Sequence, residues 1–155
     1  MAYFAAVLVR TEHQWEAQEV DLDDVEDLEG IADLARASSV DEEPVVLLLE
    51  QEDTWFAVIR VDGEDDPRIY VSDAAAVARS AYGDTLLTAD VLGHDPDDEE
   101  DAPNTGPAGD EAVLADFGVD PDELGELGGG GRLPADALIV IAERLGCADE
   151  LETVR

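Results

Sequence analysis

Two apolar runs, VVLLLEQ (Val45–Gln51) and TWFAVIRV (Thr54–Val61), separated only by Glu52-Asp53, limit what this chain can become. Both are dense in branched and aromatic residues and are bounded by turn-forming residues, so they read as strands, with VVLLLEQ as a central one. YFAAVLVR (Tyr3–Arg10) is a third short apolar run, too short for a typical helix, and a polar turn after it leads into another strand, Trp15–Val20. RIYVSD (Arg68–Asp73) supplies a fifth, reached through DGEDDP, where Asp62-Gly63 and Asp66-Pro67 mark turns.

Helices fill the remaining gaps. Val25, Leu28, Ile31, Ala32, Leu34 and Ala35 recur at spacings of three and four, which predicts an amphipathic helix with Asp24 as its N-cap. Ser72 or Asp73 caps a small-residue helix over AAAVARSAYG, which ends at Gly83. The order ββαβββα, with short turns between neighbouring strands, predicts an α+β fold in which an antiparallel sheet carries helices over one face. Roadblock-like and profilin-like domains have a comparable arrangement, an analogy of fold that carries no function.

The chain of 155 residues suits one domain, or one domain with a small appendage. An apolar fraction of 45% is ordinary for a globular protein, so the formal charge of -33 has to sit on a folded surface. Residues 1–92 hold 23 acids and 5 Arg, residues 93–111 hold 8 acids and no base, and residues 112–155 hold 10 acids and 3 Arg. Such a field repels nucleic acid and anionic membrane, both of which are bound chiefly by Lys and Arg neutralising phosphates. Neither is therefore an expected partner. All eight basic residues are Arg, which fits either the codon bias of a GC-rich genome or the acidic surface of a salt-adapted protein. The N-terminal apolar run is cut short by Arg10, and no stretch approaches the ~20 apolar residues of a membrane span, so a cytoplasmic protein is expected. Cys147 is the only cysteine, which rules out an internal disulfide and a multi-Cys zinc site; it reads as a small buried residue near a helix end.

GHDPDDEEDAPNTGPAGDE (Gly93–Glu111) looks at first like a metal loop. An EF-hand needs a glycine at its sixth position for the sharp turn, which HDPDDEEDAPNT lacks, and Pro96 and Pro103 stiffen the stretch. Like charge and Pro/Gly content make it an extended acidic linker between an α+β domain, residues 1–92, and a helical C-terminal segment, residues 112–155. Within that segment DEAVLADFGVD predicts a short helix ending at Gly118. DPDELGEL opens another with Asp120 as N-cap, Pro121 at the first helical position and Glu123 closing a capping box. After a break at Gly128–Gly131, Leu138, Ile141, Ala142 and Leu145 share one face, with Leu151 and Val154 behind. The result is a helical appendage or docking segment of about 45 residues, marginal as a lone domain.

No catalytic, cofactor-binding or metal-binding residue emerges. GGGGR (Gly128–Arg132) lacks the preceding strand and the GK[ST] ending of a phosphate loop. His13 and His94 have no partner at i+4, and Ser72-Asp73 lacks the flanking glycines of a nucleophile elbow and is explained by helix capping. Trp15, Trp55, Phe56 and Tyr70 fall in or beside strands, where sheet packing is their ordinary role. If the indoles of Trp15 and Trp55 face solvent, they become partner-binding anchors.

MAYFAAVLVR, VDLDDVEDLEGIADLAR, EEPVVLLLEQEDTWFAVIRVDGEDDPRIYVSDAAAVARSAYG and LPADAL..IAERLGCADELE together resemble the actinobacterial tRNA adenosine deaminase-associated protein family. The resemblance covers nearly the whole chain outside the acidic linker, and the family takes its name from genes lying beside a tRNA adenosine deaminase gene. It implies association and not deaminase chemistry. A zinc deaminase needs H-x-E followed by P-C-x-x-C, whereas His13 precedes Gln14-Trp15, His94 precedes Asp95-Pro96, and there is one Cys. The expectation is a non-enzymatic accessory protein without a cofactor, whose partner is a tRNA adenosine deaminase or another basic protein. A homodimeric scaffold and a small-ligand-sensing domain are the alternatives.

Overall fold

Both faces of a single antiparallel sheet are buried in the computed structural model, which describes residues 3–11, 14–20, 28–38, 44–51, 54–61, 68–73, 76–77, 108–109, 112–129 and 133–154. The strands are β1 (Tyr3–Thr11), β2 (Gln14–Glu19), β3 (Val45–Gln51), β4 (Trp55–Val61), β5 (Arg68–Val71) and the two-residue β6 (Ala108–Gly109). Their spatial order is β2-β1-β3-β4-β5-β6, with every neighbouring pair antiparallel. Between β2 and β3 lies α1 (Leu28–Ser38), whose contacts with β1, β3 and β4 place it over the sheet as the chain crosses β1. The C-terminal helices are α2 (Pro121–Gly129), α3 (Pro134–Leu145) and α4 (Ala148–Val154). Asp24, Gly83, His13, His94, residues 93–107 and 110–111 of the acidic stretch, and residues 130–132 lie outside the described residues.

Every residue of β3 and β4 is buried. Alternate side chains of a strand point to opposite faces, so such strands need cover on both sides. On the first face, Val7, Val9, Leu47, Leu49, Trp55 and Ile59 pack with Ile31, Ala32 and Ala35 of α1 and with Val77, which has helical backbone. α1 and the residues Ala76 and Val77 thus lie on one face, and the rest of the helix expected over AAAVARSAYG lies outside the described residues. On the second face, Leu8, Val46, Leu48, Phe56, Val58 and Tyr70 pack with Val113, Leu124, Leu138, Ile141 and Leu151. The helices of the C-terminal segment therefore join the core of the sheet. Each large apolar side chain buried there contributes roughly 1.5–3 kcal/mol.

Local chemistry sets the joints. Asp73 Oδ1 accepts the Ala76 N–H at 3.2 Å and so is the cap, while Ser72 Oγ accepts the Phe56 N–H at 2.8 Å and extends the β4–β5 pairing. The short helix expected before Gly118 is a turn followed by 3-10 geometry at Ala115–Phe117, closed by Gly118 at φ 103°, a left-handed conformation suited to glycine. Two carbonyls that a longer helix would use are taken by the sheet: Arg68 Nη2 donates to Ala112 O at 3.2 Å, and Arg60 Nη1 donates to Val113 O at 2.9 Å. Gly146, at φ 89°, ends α3 by donating to Ala142 O at 2.8 Å, which turns the chain into α4. Glu123, read as part of a capping box, accepts from Arg144 Nε at 2.7 Å and ties α2 to α3.

A protein truncated before Ala112 would leave Leu8, Leu48, Phe56, Val58 and Tyr70 uncovered. It is expected to aggregate or to bind a hydrophobic dye strongly, whereas the full chain should do neither; size-exclusion chromatography and dye fluorescence read the difference.

Candidate functional site

The residues that sequence reasoning marked do not converge. Trp55 is fully buried on the first face, where its Nε1 donates to Gln51 Oε1 at 2.7 Å. Trp15 is buried on the opposite face, where its ring meets the Phe117 ring edge-on, with centroids 5.0 Å apart. The solvent-facing position that a partner-binding anchor requires is met by neither indole, because both faces of the sheet are covered. Ser72 is buried and engaged by the β4 backbone, and burial pushes the Cys147 thiol up to about 12, so it stays protonated and unreactive at neutral pH. Among the described residues no three His, Cys, Asp or Glu side chains are grouped so as to hold a metal ion. Within the acidic stretch read as a linker, Ala108 and Gly109 pair with Val71 and Tyr70.

What the fold does bring together is a cluster of arginines that no motif announces. Arg60 and Arg68 are direct cross-strand partners on β4 and β5, so two like charges share the second face. The turn at 112–117 lies over them. Arg60, 7% exposed, makes a two-pronged ion pair with Asp116, with Nη2 2.9 Å from Oδ2 and Nη1 on Oδ1, and its guanidinium lies 4.3 Å from the centre of the Phe117 ring. Tyr70, opposite Val58 and on the same face, donates its hydroxyl to Leu124 O at 3.0 Å. Sheet, turn and α2 are thus fastened by side chains of β4 and β5. The one signal in the sequence is a charged residue inside the apolar run WFAVIRV.

The same geometry sets the protonation of Asp116. The hydrogen bonds from Arg60 hold its carboxyl below the usual aspartate value, and the charges of Arg60 and Arg68 act in the same direction against some desolvation. A group whose folded pKa is depressed stabilises the fold above its unfolded pKa, about 3.9, and loses that contribution as pH falls through the folded value. Asp116→Asn is expected to cost about 1 kcal/mol at pH 7, a figure kept small by solvent screening of a carboxylate that is well exposed. In urea unfolding the gap to the wild type should close as pH is lowered past the ordinary aspartate value.

Among the described residues Glu50 is buried on β3, while many other carboxylates lie outward. Glu16 and Glu19 on β2, Glu29 and Asp33 on α1, Asp120, Asp122 and Glu126 at α2, Asp136 and Glu143 on α3, and Asp149 and Glu152 on α4 are all exposed. A model of the Rv3753c-like tRNA adenosine deaminase-associated proteins matches residues 3–148. The chain belongs to that family. Comparisons with curated proteins and with solved structures found no match to either. The match spans sheet, turn and most of the C-terminal helices, so the family pattern includes the second cover of the sheet as well as the strands. The family is described as associated with a tRNA adenosine deaminase, not as the deaminase. Among the described residues no helix is long and apolar enough to cross a membrane.

Proposed function

We propose that this protein is a non-enzymatic accessory protein that docks on the basic, RNA-binding surface of a tRNA adenosine deaminase and thereby competes with, or regulates, tRNA binding in the cytoplasm. The observation that carries the reading is the net charge of -33 on a chain whose family is named for that enzyme. An enzyme that grips tRNA through phosphates needs a cationic surface, and a folded polyanion is complementary to it. The exposed acidic side chains of α1 to α4 and β2 are the means, since they face solvent and not the two cores, although Asp33 and Glu123 are already paired with Arg36 and Arg144. The buried tryptophans take no part in this docking, which rests on charge. The second reading, a homodimeric scaffold, has to overcome repulsion between two copies of charge -33.

A pull-down of the cognate deaminase is expected to succeed at low salt and to fade as ionic strength shortens the screening length to about 8 Å at 0.15 M. Deamination of tRNA should slow when the protein is added. No association at low salt, together with unchanged deamination, would remove the reading.

A further inference from the structure

Resting on that reading, we propose that the open edge of β2 is the docking strip, and that its occupant is an extended cationic segment of the partner, which adds to the sheet as a further strand beside Gln14–Glu19. β2 is the terminal strand of the sheet and pairs with β1 alone among the described residues. The Val20 N–H donates to Ala5 O at 2.9 Å, which makes Val20 and Ala5 a hydrogen-bonded pair. In an antiparallel ladder such pairs alternate with pairs that turn their amides outward. Following the register back, Gln18 opposite Val7 and Glu16 opposite Val9 spend their backbone groups on β1. Trp15, Ala17 and Glu19 therefore aim their N–H and C=O groups at the open edge.

An open edge admits any strand unless side chains select, and here they do. Glu16 and Gln18 are exposed on the side of the sheet that carries α1, in register with Val9 and Val7 of that face. Glu19 is exposed on the other side, where α4 packs against β2 and presents Asp149 and Glu152 to solvent. An incoming strand thus meets carboxylates on both faces. A second copy of this acidic chain is repelled and a neutral strand gains nothing from the flanks, whereas a segment rich in Arg or Lys satisfies the backbone edge and the flanking charge together. Gln14–Glu19 contains no Pro, Gly or Lys to blunt the edge. Trp15, packed inward on Phe117, holds the strand in place.

Ala17→Pro removes one outward N–H and leaves the β1 ladder intact, because Ala17 donates nothing to it, and proline is tolerated where a strand's N–H faces solvent. Glu16→Arg with Glu19→Arg reverses the flanking charge at exposed positions, and serves where the proline variant fails to fold by circular dichroism. Two probes are titrated against each protein: a synthetic peptide of alternating Arg and Val, and the cognate deaminase. The peptide should bind the wild type, and about tenfold more weakly to either variant, the equivalent of a single good hydrogen bond or ion pair. Peptide that fails to bind the wild type, or binds the variants equally, overturns the inference. Deaminase that binds the wild type and both variants alike overturns it too, while leaving the accessory reading standing. Deaminase that binds none of them, beside a peptide that discriminates, keeps the edge and removes the deaminase as its partner.

Discussion

Two adjacent strands buried at every position impose the architecture. β3 and β4 cannot be half-solvated, so the sheet needs a layer on each side, and among the described residues the chain before β6 contributes helices to only one of them. The other layer comes from α2, α3 and α4, which occur late in the chain and reach back to Leu8, Leu48, Phe56 and Tyr70. A segment that could bury too little surface to fold alone acquires a core by sharing that of the sheet. The Arg60–Asp116 pair, the Arg68 bond to Ala112 and the Tyr70 bond to Leu124 give this layer a fixed position, which apolar contact alone would not specify.

The same constraint partitions the charge. With both faces filled mostly by apolar residues, the described carboxylates other than the buried Glu50 sit mainly on helix backs and the β2 edge, while Arg60 is drawn inside to fasten the fold. Of the few cations in the chain, Arg60 and Arg68 neutralise structure at home, and Arg144 serves α2 and α3 through Glu123. Under the proposed docking, carboxylates on helix backs and at the β2 edge would be the surface offered to a cationic partner.

Much of this was legible in the sequence. The five main strands, the amphipathic α1 and the start of α2 at Pro121 follow from apolar runs, three-four spacing and a proline at the first helical position. The order of elements predicts helices over one face only, with the C-terminal helices as an appendage, although the near-continuous apolarity of VVLLLEQ and WFAVIRV asks for a second cover, since one-sided strands alternate. What local pattern could not supply was long-range partnership. Arg60 meets Asp116 across the acidic stretch and donates to the Val113 carbonyl, where a turn with 3-10 geometry stands in place of the expected helix. Trp15 and Trp55 looked alike in sequence, yet register sends them to opposite cores, because the pleat and not the residue type decides the face.

Amide hydrogen exchange, followed residue by residue, tests most directly whether the sheet and the C-terminal helices are one cooperative unit. If they are, the slowest amides of β3, β4 and α3 should exchange through the same global opening, with equal free energies and equal dependence on denaturant. Amides of α3 that exchange through a smaller opening, while β3 and β4 stay protected, would show that the helices detach on their own and would contradict the shared core on which the account is built.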